Sequence, residues 1–117
     1  MDDSYHYYLF GMRCLASKEF KMAIHYFEQS LELDQHFKTY ERLYECYKSL
    51  GNHSLARENI RLAYEHNNRN DKVAFAYATE LHNYGLIDEA SKVLEAILMR
   101  NSTFKKAREL LNKIKTT

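Results

Sequence analysis

Six histidines, at positions 6, 25, 36, 53, 66 and 82, and two cysteines, Cys14 and Cys46, are the side chains of this 117-residue chain best suited to metal binding or nucleophilic chemistry. A metal pair on one helix needs two histidines four residues apart, and a thiol pair needs C-x-x-C spacing; the chain has neither. In the stretch YKSLGNHSLARENI, Gly51 follows polar residues as the glycine of a phosphate loop does, but the glycine-rich, lysine-bearing pattern of such a loop is missing. G-x-S-x-G and G-x-G-x-x-G are absent as well. No constellation supports catalysis, so the reading is of a non-enzyme with no cofactor and no metal. Two sequons, Asn52-His53-Ser54 and Asn101-Ser102-Thr103, matter only on an exported chain. MDDSYHYYLF carries acids where a signal segment has bases, and no apolar run reaches membrane-spanning length. The expected location is cytoplasmic, with both thiols reduced and serving as packing groups.

The elements that would have to position any site are helices. The chain has no proline and only three glycines, Gly11, Gly51 and Gly85, too few turn residues for a protein of β-hairpins. Apolar residues at 45% and charged residues at 28% are ordinary for a globular chain, and a net charge of +1 advertises neither nucleic acid nor an anionic membrane as partner.

The glycines keep time. Gly51 and Gly85 stand 34 apart, and each is followed five residues on by alanine, Ala56 and Ala90; Lys18 and Ala23 give the same beat one period earlier. Four residues after each alanine comes a large apolar side chain (Phe27, Ile60, Leu94), and three beyond that Ser30, Ala63 and Ile97. Upstream, Tyr7, Phe10, Gly11 and Cys14 form one helical face, as do Tyr40, Leu43, Tyr44 and Tyr47, and Ala74, Tyr77, Ala78 and Leu81. The spacing predicts helices over 5–17, 20–33, 38–50, 53–66, 72–84 and 87–100. A seventh, over 104–115, carries Phe104, Ala107, Leu110, Leu111 and Ile114 on one stripe, suited to cover the open side of the third unit.

This pattern resembles the tetratricopeptide repeat, W-x2-L-G-x2-Y, then A-x3-F, then P, in a 34-residue unit. The first unit reads Tyr7-x2-Phe10-Gly11-x2-Cys14 and Ala23-x3-Phe27, with Gln35 at the proline position. The second reads Tyr40-x2-Leu43-Tyr44-x2-Tyr47 and Ala56-x3-Ile60, with Asn68 there; the third reads Ala74-x2-Tyr77-Ala78-x2-Leu81 and Ala90-x3-Leu94, with Ser102. The resemblance implies an all-α fold, a right-handed superhelical α-solenoid of three helix-turn-helix repeats (about 4–36, 37–70 and 71–103) in a single domain with a capping helix. The alanines let paired helices approach, where a longer side chain would cost roughly 1–3 kcal/mol. Gly51 and Gly85 are expected in the left-handed conformation that ends a helix, with Lys18 filling that turn in the first unit. Tyr44, bulky where the pattern has glycine, predicts local loosening.

The resemblance also implies that first helices line a groove that holds a partner segment. The positions facing it, opposite the packing stripe, are Tyr5, Tyr8, Met12 and Leu15; then Lys38, Glu41, Glu45 and Lys48, with Arg42 beside them; then Lys72, Phe75, Thr79 and His82, beside Ala76. The first helix is apolar nearly all round, and such a helix is normally buried on every side. Either flanking residues and tyrosine hydroxyls satisfy it, or Tyr5, Tyr8, Met12 and Leu15 form a surface for a partner or a second copy. Family members that clamp acidic C-terminal tails use lysine, asparagine and arginine at positions held here by Tyr8, Met12, Arg42, Lys72 and Ala76. Only Lys72 agrees, so capture of such tails is not expected.

Net charge alternates along the chain: −3 over 1–37, +2 over 38–70, −2 over 71–100 and +4 over 101–117. The basic end (Lys105, Lys106, Arg108, Lys113, Lys115) reads as a solvated helix face that complements the helix dipole rather than an RNA site. The leading reading is a non-catalytic protein-interaction module. A self-associating subunit is the structural alternative, and an RNA-binding repeat is disfavoured by the near-zero net charge. Scaffold, adaptor, secretion chaperone and toxin-neutralising immunity protein remain open as roles, because such roles reside in the partner.

Overall fold

The computed structural model describes residues 3–116. Seven α-helices occupy them: α1 (Asp3–Ala16), α2 (Phe20–Leu33), α3 (Phe37–Ser49), α4 (His53–His66), α5 (Asp71–Asn83), α6 (Ile87–Arg100) and α7 (Lys105–Lys115). Each expected helix is present, with bounds shifted by at most two residues. The chain divides into two compact units, Met1–His66 and Asn67–Thr117. In the first, α1 packs on α2, α2 on α3 and α3 on α4; in the second, α5 packs on α6 and α6 on α7.

The three hairpins turn by one device. Gly51 (φ 78°), Gly85 (φ 86°) and Lys18 (φ 59°) all adopt the left-handed conformation. At each, two amides fold back onto the last helical turn: Lys18 N donates to Leu15 O and Glu19 N to Cys14 O, Gly51 N to Lys48 O and Asn52 N to Tyr47 O, Gly85 N to His82 O and Leu86 N to Leu81 O. These paired bonds satisfy carbonyls that the helix ends would otherwise leave open. The amides at the opposite ends find side-chain partners at three helices, where Asn52, Asn70 and the Nδ1 of His36 accept from Leu55 N, Val73 N and Lys38 N.

The core follows the beat of the sequence. Ala23, Ala56 and Ala90 are buried, as are Phe27, Ile60, Leu94, Ala63 and Ile97. Gly11 shows why the first hairpin needs a small residue: a Cβ there would lie 2.5 Å from the Phe27 ring. Tyr44, at the equivalent place in α3, does not loosen its hairpin. Its ring is 8% exposed in an unbroken helix, and its hydroxyl accepts from Lys48 Nζ at 3.1 Å.

Two expectations about faces need correction. Phe10, placed on the packing stripe, is 44% exposed, because among the described residues its side of α1 meets only the Tyr26 ring at the edge of α2. Glu41, placed on a solvent-facing line with Lys38, Glu45 and Lys48, is 7% exposed. Thr39 and Cys46 are buried as well, so α3 is enclosed on more sides than one apolar stripe can signal.

Candidate functional site

A cavity of about 410 Å³ opens in the first unit between the N-terminal turns of α1 and α3 and the end of α2. Tyr5 and Tyr8 enter it from α1, Lys38 and Thr39 from α3, Ser30 from α2, and Asp34 and His36 from the connection. Its inner wall is tied shut by paired serines. Ser30 Oγ donates to Ser4 O at 2.7 Å, and Ser4 Oγ lies 3.1 Å from Ser30 O and 3.0 Å from Ser30 Oγ. Both serines are buried, and no buried side-chain nitrogen or oxygen among the described residues lacks a hydrogen-bond partner. The two buried serines on the wall thus satisfy each other, while Tyr5, Asp34, His36 and Lys38 remain exposed around them.

Alongside the cavity, Arg42 is held in place. Its Nε donates to the Tyr8 hydroxyl at 3.3 Å and its Nη1 to Glu45 Oε1 at 2.9 Å. Burial by itself would lower the Arg42 pKa, but the Tyr8 hydroxyl, Glu45 and Glu41 together raise it above its ordinary value. The guanidinium therefore stays charged and ties Tyr8 of α1 to Glu45 of α3.

The residues expected to face a partner divide sharply. Tyr5 is 56% exposed, whereas Tyr8, Met12 and Leu15 are half-buried and pack against the cluster of Ala23, Phe27, Leu43 and Cys46. The Tyr8 and Phe27 ring centroids lie 5.7 Å apart. The first helix is thus apolar on that side because it packs on the cluster that α2 and α3 build together. On α3, Lys38 and Lys48 are exposed, Glu45 is half-buried beside Arg42, and Glu41 is buried. In the second unit Lys72 is exposed, while Phe75, Ala76, Thr79 and His82 are half-buried along α5. The Phe75 ring meets Phe104 at 5.8 Å, and Thr79 Oγ1 donates to Phe75 O at 2.9 Å. Within each unit the positions share a helix face; Tyr5, Tyr8 and Lys38 also share the cavity.

Sequence reasoning missed the Ser4–Ser30 clasp. Its one signal was a serine, Ser30, at a register position where the other units carry Ala63 and Ile97, since a hydroxyl in an enclosed place needs a partner. Among the described residues, no three His, Cys, Asp or Glu side chains converge as metal ligands, and no helix is long and apolar enough to cross a membrane.

No protein-family model and no curated protein matches the chain at significance. Solved structures do. The first tetratricopeptide-repeat domain of Spaghetti (RPAP3), bound to the HSP90 peptide SRMEEVD, superposes with a TM-score of 0.78 over 97% of this chain and 93% of that one, at 18% identity. The Arabidopsis OM64 domain gives 0.80 over 99% and 97% at 15% identity. The Yersinia enterocolitica type III secretion chaperone SycD, in complex with a peptide of the translocator YopD, gives 0.74 over 99% and 89% at 18% identity. This chain has the tetratricopeptide-repeat fold. Within that fold, the first, third and fifth helices are the first helices of successive repeats, and α7 follows the third repeat as a capping helix.

Proposed function

We propose that this tetratricopeptide-repeat protein is a non-catalytic interaction module that holds an extended segment of another protein against α1 and α3. The carrying observation is the 410 Å³ cavity with Tyr5 at its rim and Lys38 across it. Tyrosine contributes a large contact area at low entropic cost, and the two buried serines are already paired with each other when a side chain enters. Peptides bound by Spaghetti and SycD support the reading by analogy of fold. In the second unit Lys72, Phe75, Thr79 and His82 are proposed as further contact positions. Two free cysteines fit the reducing cytoplasm as the place of action.

The partner differs from an acidic chaperone tail. Such a tail needs a set of cations and amides at the clamp positions, where this chain has Tyr8, Met12, Ala76 and an Arg42 already engaged by Tyr8 and Glu45, and only Lys72 matches. Titration with the peptide SRMEEVD is expected to show no saturable binding below about 1 mM. Tight binding abolished by Lys72→Ala would refute this.

The direct test places a photo-crosslinking benzoyl-phenylalanine at Tyr5 or Lys38, with Met99, which is 89% exposed, as the control. One protein from native lysate should be trapped from both cavity positions and not from Met99. Equal trapping from all three would remove the basis for this site.

A further inference from the structure

The outward side of the first hairpin carries a second surface, separate from the cavity. On α1, Asp3, His6, Phe10 and Arg13 recur at helical spacing on one stripe, and all four are exposed. Leu9 flanks the stripe and is exposed too. On α2, the Tyr26 ring sits 5.4 Å from Phe10, and Met22, one turn earlier on the same face, is half exposed.

The repeat shows what such a stripe is built to do. His6, Phe10 and Arg13 stand at the register positions of Thr39, Leu43 and Cys46 in α3. Those three are buried, and Leu43 and Cys46 share a cluster with Ala23 and Phe27 of α2. This face of a first helix is therefore one that receives a neighbouring helix, and among the described residues only the edge of α2, through Tyr26, reaches it on α1.

The charges name the occupant. With Asp3 at one end, Arg13 at the other and Phe10 near the middle, the stripe is complementary to itself in the antiparallel sense. Two copies related by a twofold axis and paired so that residue numbers sum to 16 set Asp3 against Arg13 at both ends and Phe10 over His6 between them. The ends are about 15 Å apart at 1.5 Å per residue, so both ion pairs and both ring contacts form together. We infer that the protein associates with a second copy of itself through the Asp3–Arg13 stripe of α1, with Leu9, Met22 and Tyr26 closing the apolar centre.

The test mixes two variants of the full chain. Asp3→Lys sets Lys against Arg13 of the second copy, and Arg13→Glu sets Glu against the second copy's Asp3, so each variant alone repels itself at both ends; mixed, they pair at both ends. Sedimentation across a dilution series should show a dimer for the unmodified chain, association weakened about tenfold or more for each variant alone, and restored dimer in the equimolar mixture. Far-ultraviolet circular dichroism monitors helicity. The same charges complement the α1 dipole, but loss of that role would not be repaired by mixing. An unmodified chain that stays monomeric at high concentration, variants that dimerise unchanged, or a mixture no more associated than its components would each overturn the proposal.

Discussion

In the α1–α2 hairpin a glycine, Gly11, lies under the ring of Phe27, and in the α3–α4 hairpin the same two register positions hold Tyr44 and Ile60. Both pairs are enclosed, with Phe27 and Ile60 fully buried. Where the second helix carries the larger side chain the first carries none, and where the first carries a phenol ring the second carries a branched aliphatic. The repeat fixes where the two helices meet, not the residue at either position: the Phe27 ring fills the space a Cβ on Gly11 would need, whereas Tyr44 is housed with its hydroxyl reaching Lys48 Nζ. The surroundings of each pair therefore decide which side chains it accepts.

Changes that unbalance a pair have the largest effect. Phe27→Ala should cost about 3–5 kcal/mol, read from the urea midpoint at constant slope. Gly11→Ala should cost about 1–3 kcal/mol by pressing a methyl group into the ring, and Phe27→Leu should recover part of that loss in the double variant. In the second hairpin the direction reverses: Ile60→Phe should overpack against Tyr44 by a similar amount, and Tyr44→Ala should relieve it. Additive costs within each pair would show that the two positions do not share volume.

The hairpins also differ in what covers them, which separates Arg13 from its counterpart Cys46. Burial, then the nearby Glu45, raises the Cys46 pKa from 9.0 to about 11. At pH 8 its thiolate fraction is lower by about a hundredfold than that of an ordinary thiol, so alkylation should report unfolding rather than exposure. Next to it, Tyr47 is raised from 10.0 to about 12 by burial, by the charge of Glu28 and by the hydrogen bond to it. For both groups the folded state keeps its proton after the unfolded state has lost it. Their contribution is therefore intact below about pH 9 and is lost as pH rises through 11 and 12. The denaturation midpoint should fall over that range, and Cys46→Ala with Tyr47→Phe should flatten the fall.

The same contrast explains what was legible in the sequence. Helix bounds, left-handed turns and the alanine contacts were readable because each rests on local periodicity or backbone chemistry at named positions, such as Gly51 and Ala56. Faces were less readable. Phe10 and Leu43 occupy one register position, but Leu43 is enclosed against α2 whereas Phe10 meets only the Tyr26 ring and stays 44% exposed, and no property of the residue itself distinguishes them. Glu41 misled for a related reason: a carboxylate reads as solvent-facing, and only the packing around α3 encloses it. The binding residues stood between these extremes, with positions set by the repeat but exposure set by neighbours.

The open ends of the hairpins are closed by different chemistries. The first uses the Ser4–Ser30 clasp, the second stacks Tyr40 on His66 at 5.1 Å, and the third pairs Asp71 with Arg100 at 2.9 Å. Ser30→Ala should cost about 1–2 kcal/mol, because its loss strips partners from buried groups of Ser4. Asp71→Ala should cost about 1 kcal/mol or less and lose its effect at high salt, since that pair remains partly exposed. Equal, salt-insensitive losses in thermal melts would mean that burial does not set the difference.

The smallest effect lies at the turns, where two hairpins use glycine and one uses Lys18. All three make the same pair of backbone bonds, so only the conformational cost differs. A lysine at φ 59° carries a penalty of roughly 1–2 kcal/mol from its Cβ that glycine does not. Lys18→Gly removes that penalty but gives the unfolded chain more freedom, roughly 0.5–1 kcal/mol in the opposite direction. The net should be a stabilisation of about 0.5 kcal/mol, near the resolution of a careful melt, and Gly51→Lys should lose about as much. A variant less stable than the parent would mean that the Lys18 side chain contributes a contact of its own, so the first turn would differ from the other two in kind.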